Sequence, residues 1–82
     1  MSETVPAKSP DPIQWKIKRG YSAAKMAEDW RCTQAYVYML KRFENVPGWL
    51  VARRMALTFG WSSAAVMDFW TRRVAKRRKD AA

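Results

Sequence analysis

The stretch SAAKMAEDWRCTQAYVYMLKRF, residues 22–43, decides the fold. Ser22 is a residue type that caps helix starts, and Ala23, Met26, Ala27 and Trp30 follow it at i, i+3, i+4 and i+7, one face of a helix. Thr33 opens a second helix in the same way, and Tyr36, Val37, Leu40 and Phe43 follow at i, i+1, i+4 and i+7, again on one side of a helix. Only Arg31 and Cys32 separate the two segments, so the chain has to reverse in a very tight turn.

Outward from this pair, the same signals recur. Asp11 at an N-cap, Pro12 at the first helical position and Gln14 in a capping-box-like pattern predict a helix over 12–19 that Gly20 stops. Downstream, Asn45, Pro47 and Gly48 end the second helix of the pair. A further helix is predicted over 47–59, with Trp49, Ala52, Ala56 and Phe59 inward and Gly60 at its end. Ser62 or Ser63 caps a last helix that carries Val66, Phe69, Trp70 and Val74 and finishes in RRVAKRRK. Residues 1–10, with two prolines and nothing to bury, read as a disordered arm. No stretch alternates as a strand would. The expected fold is all-α, a five-helix compact domain: an arm over 1–10, a core domain over 11–61, and a C-terminal helix with a basic tail over 62–82.

Composition narrows the function. At 82 residues the chain makes one small domain, in which five tryptophans supply large apolar bodies for a core built from short helices. One cysteine allows no internal disulfide, and with no histidine the chain cannot furnish an ordinary zinc set. It also offers no acid–base pair and no glycine-rich phosphate loop, so no enzyme and no cofactor is expected. The opening residues do not form a secretory signal, and no apolar run reaches the roughly 18–20 residues that span a bilayer. A soluble, cytoplasmic protein without a small-molecule ligand is expected. The net charge of +9, with a pI near 10.3, favours a polyanionic partner.

Two helices joined by so short a turn, the second with a polar start, are the elements of a helix-turn-helix. A small residue is required in the first helix where the second crosses it, and Ala27 stands there. Val37 and Leu40, three apart, leave the front of the second helix free. Residues 22–43 resemble the helix-turn-helix of the phage Cro and lambda-repressor-like family. Ala27, Val37 and Leu40 match its internal packing positions, and Thr33-Gln34 matches the polar start of its recognition helix. VPGWLVARRMALTFGWS is similar to the helix that follows. The family usually has glycine in the turn where this chain has Arg31, which would then need a left-handed backbone.

The resemblance implies a sequence-specific repressor that sets helix 33–43 in the major groove of a palindromic, double-stranded DNA operator as a homodimer. On that reading Thr33, Gln34, Ala35, Tyr38, Met39 and Arg42 are the candidate base contacts. Gln34 leads, because its amide can donate and accept at adenine N6 and N7, while Ala35 and Met39 can meet a thymine methyl. Ser22, Lys25, Tyr36, Lys41, Arg53 and Arg54 are the candidate phosphate contacts. The plain alternative for Tyr36 is packing, for Arg53 and Arg54 solvation, and for Cys32 a small plug in the turn. Val66, Met67, Phe69, Trp70 and Val74 spread wider than one stripe and are the candidate dimer interface. Six cations between Arg72 and Lys79 suit a DNA backbone better than a membrane surface. Competing readings are a nucleic-acid-binding architectural protein without sequence preference, and an RNA-binding adaptor.

Overall fold

Most of the helices begin where a short polar side chain takes up a backbone N–H that the helix itself cannot pair. The computed structural model describes residues 4–81, in which five α-helices and no strand occur: α1 (Pro12–Lys18), α2 (Ala23–Trp30), α3 (Gln34–Lys41), α4 (Trp49–Phe59) and α5 (Ser63–Ala81). Asp11 Oδ1 accepts from the Gln14 N–H at 3.0 Å. Ser22, Thr33 and Ser62 do the same for Lys25, Tyr36 and Ala65, each at 3.1 Å. Among the described residues, no helix is long and apolar enough to cross a membrane.

The first four helices end alike. The N–H of Tyr21, Cys32, Glu44 and Trp61 reaches back to the carbonyl of Lys16, Ala27, Met39 and Ala56, at 3.0, 3.0, 3.0 and 2.9 Å. Such a closure needs a left-handed residue just after the helix. Gly20 and Gly60 fill two of these positions, with φ of 89° and 75°; Arg31 and Phe43 fill the other two, at 55° and 57°. The left-handed backbone expected at Arg31 is present.

The core lies where α2, α3, α4 and α5 meet. Trp30, Met26, Val37, Leu40, Met55, Phe59 and Trp70 are fully buried in it. Phe59 stacks on Trp70 with ring centroids 5.9 Å apart, and Trp30 meets Phe59 edge-on at 5.8 Å. Both buried indoles keep a partner, as burial demands: Trp30 Nε1 donates to Thr58 Oγ1 at 2.9 Å and Trp70 Nε1 to the Leu40 carbonyl at 3.0 Å.

Three expectations are corrected. Residues 4–10 are not a disordered arm: Val5 is 1% exposed, its N–H donates to the Phe59 carbonyl at 2.8 Å, and its carbonyl accepts from Trp61 Nε1 at 2.7 Å. The end of α4 offers this segment a carbonyl and an indole N–H, and one valine gives it an apolar anchor. The remainder of the expected arm, residues 1–3, lies outside the described residues, as does Ala82. Trp49 is not inward but 63% exposed. It sits at the first position of α4, one turn ahead of Ala52, the first residue of that helix to be buried. Val66, Trp70 and Val74 are not a dimer interface, because they are buried within this chain. Their i, i+4, i+8 spacing lays one stripe of α5 into the core, and the packing runs unbroken across residues 61 and 62. Of the five residues expected at an interface, only Met67 and Phe69 keep part of their surface.

Candidate nucleic-acid interface

The geometry of the 22–43 region follows from what each helix buries. Ala27 is 7% exposed on the inner side of α2, and Val37 and Leu40 are fully buried on α3. Cys32 is partly buried against the core as a plug in the turn, and burial pushes its thiol pKa up, away from thiolate reactivity. With its inner side committed, α3 turns its other face outward. Thr33, Gln34, Ala35, Tyr38 and Arg42 are exposed there, and Tyr36 and Met39 are half-buried at its edges.

Each exposed group comes with its own constraint. Thr33 Oγ1 is occupied as an acceptor by the Tyr36 N–H, which leaves its proton to donate. Among the described residues, the Gln34 amide has no hydrogen-bonding partner. Tyr38 is 44% exposed, and its hydroxyl has no hydrogen-bonding partner among the described residues. The Met39 sulfur receives a weak contact from Asn45 Nδ2 at 4.0 Å. Arg42 is paired with Glu44, whose carboxyl is held below its usual pKa chiefly by that hydrogen bond.

The expected phosphate set divides. Ser22 and Lys25 stand exposed at the start of α2, where unpaired N–H groups favour an anion, though Lys25 also lies 3.7 Å from Asp29. Arg53 is exposed, its guanidinium 5.8 Å from the Trp49 ring centroid. Lys41 and Arg54 are engaged internally. Lys41 Nζ pairs with Asp11 Oδ2 at 3.3 Å and ties the end of α3 to the start of α1. Arg54 Nη1 donates to the Trp30 carbonyl at 3.4 Å, where α2 leaves acceptors unfilled.

Two features escape the reading of the sequence. Trp49, Leu50 and Leu57 are exposed on the outer side of α4, a face that helical spacing alone cannot tell from a buried edge. Arg73 of α5 lies over the ring of Phe43, its guanidinium carbon 4.4 Å from the centroid. That contact joins residues thirty positions apart, and the only sequence signal for it is the cationic run itself. The chain matches no protein-family model, no curated protein and no solved structure.

Proposed function

We propose that the protein is a sequence-specific double-stranded DNA-binding repressor, with α2 and α3 forming a helix-turn-helix of the Cro and lambda-repressor-like kind. The observation that carries this reading is the outer face of α3. Thr33, Gln34, Ala35 and Tyr38 form an exposed front of small, polar and aromatic groups, on a short helix whose other side is fully buried. That division is what a helix needs in order to enter a major groove while its own domain holds it from behind. The net charge of +9 supplies the sequence-independent attraction. Gln34 reads a base pair, Ser22, Lys25 and Arg53 hold phosphates, and Arg42 exchanges Glu44 for an acceptor on the DNA. Two copies acting in the cytoplasm on a palindromic operator would double the contact. Their interface must be sought on surface other than Val66, Trp70 and Val74.

The test is selection of bound duplexes from a random pool, followed by Gln34→Ala on the selected site. The expected outcome is lost preference at one base pair, about 5- to 150-fold, with little change elsewhere. Unchanged preference at every position would remove Gln34 from the reading role. The six cations between Arg72 and Lys79 favour a second reading, binding without sequence preference. Equal affinity for selected and scrambled duplexes would establish that reading instead.

A further inference from the structure

The outer half of α5 does nothing for the core. The helix runs unbroken from Ser63 to Ala81, its last buried residue is Val74, and every described residue after it is exposed. The turn of α5 that leads into this half is nevertheless fixed against the end of α3. Arg73 lies over the ring of Phe43, which closes α3, and also 5.6 Å from the ring centroid of Phe69. Between the end of α3 and this part of α5 lies an open groove of about 600 Å³, lined by Phe43, Arg73, Lys76, Arg77, Asp80 and Ala81. Three cations and one carboxylate face it. The Lys76 side chain has no hydrogen bond or ion pair among the described residues, and Arg77 senses Glu44 only through space. Arg72, one turn before Lys76, is instead paired with Asp68.

We propose that this groove is a phosphate-binding site for the backbone of the same duplex that α3 enters, with Lys76 and Arg77 as its contacts. Cationic side chains on a surface open at one side meet a chain of phosphates well. The groove starts at Phe43, two residues past the end of α3, so a duplex lying along α3 brings its backbone past this wall. A bilayer surface suits the segment less well. Beyond Val74 the only apolar side chains in the sequence are those of Ala75, Ala81 and Ala82, whereas helices that lie in a membrane interface carry bulky apolar residues along one face.

The inference rests on the DNA-binding reading, and one experiment separates the two. The full chain and its K76Q/R77Q variant are titrated against a selected duplex and a scrambled one of equal length, between about 50 and 200 mM salt. Removing a single phosphate-neutralising cation makes the slope of log affinity against log salt shallower by about 0.9. The expected result is a slope shallower by about 2 on both duplexes, an unchanged ratio between them, an unchanged melting temperature, and the original slope in K76R/R77K. A slope that stays the same in K76Q/R77Q overturns the site, even if sequence preference is intact. If neither duplex is preferred but the slope still falls by about 2, base reading fails and the groove stands. Binding to phosphatidylserine-containing vesicles that needs Lys76 and Arg77, with no change in slope on DNA, would assign the groove to membranes and overturn the proposal.

Discussion

Arg31 and Phe43 pose the same backbone problem and should answer mutation in opposite ways. Both have left-handed φ, at 55° and 57°, where a side chain costs roughly 1 kcal/mol relative to glycine. Arg31 is exposed and its side chain has no hydrogen bond or ion pair among the described residues, so no side-chain contact offsets that cost. Phe43 is 9% exposed, with its ring centroid 5.6 Å from that of Trp70 and 5.9 Å from that of Phe69. Arg31→Gly is expected to stabilise the protein by about 1 kcal/mol, raising the melting temperature by roughly 4–8 °C. Phe43→Gly is expected to destabilise it by about 2 kcal/mol or more, because the lost packing exceeds the relieved strain. Thermal melts followed by circular dichroism check both; equal signs for the two variants would defeat the argument. The strain at Arg31 was legible through the family resemblance, since that family usually has glycine at this place in the turn. The strain at Phe43 was not, because its helical spacing made it simply the last inward residue of a helix.

At the scale of elements, what was legible is what local chemistry sets. The caps Asp11, Ser22 and Thr33 and the pair Ser62 and Ser63, of which Ser62 is the cap, marked the starts of their helices, and Gly20 and Gly60 marked two ends, because each acts on backbone within a few residues of itself. Residues 4–10 lay beyond such reasoning. Their composition is that of a loop, and they are ordered by partners more than fifty positions away: the Phe59 carbonyl and the Trp61 indole on either side of Val5. Gly60 completes the fit, since a Cβ there would lie 2.7 Å from Thr4 Oγ1. The segment therefore acts as a sixth element pinned by one apolar side chain. Val5→Ala is expected to cost about 2 kcal/mol, well above the near-neutral result for a valine in a loose arm. Denaturant unfolding measures it, and a loss under about 0.5 kcal/mol would return residues 4–10 to the status of a tail.

Across the whole molecule, the sequence suggested a seam at residues 61 and 62, with a reading domain before it and an interface helix after it. The packing has no such seam. Trp70 stacks on Phe59 of α4 and donates to the Leu40 carbonyl at the end of α3, so α5 closes the floor beneath the proposed reading helix. A small domain of 82 residues has a total stability of only about 4–12 kcal/mol, and losing one buried tryptophan side chain costs about 3–5 kcal/mol. Removing Trp70 together with Val66 and Val74, which are also buried, therefore removes an amount comparable to the whole. A chain ending at Trp61 is expected to lose its cooperative thermal transition and most of its helical signal. A chain ending at Ala75 keeps the entire buried stripe, so its melting temperature should stay within about 5 °C of the full chain, a shift of roughly 1 kcal/mol. The shorter chain tests whether α5 belongs to the core, and the longer one whether its outer half is free of it. A cooperative melt from the chain ending at Trp61 would restore the seam, and a large loss from the chain ending at Ala75 would mean that the cationic end of α5 is structural rather than a surface left for DNA.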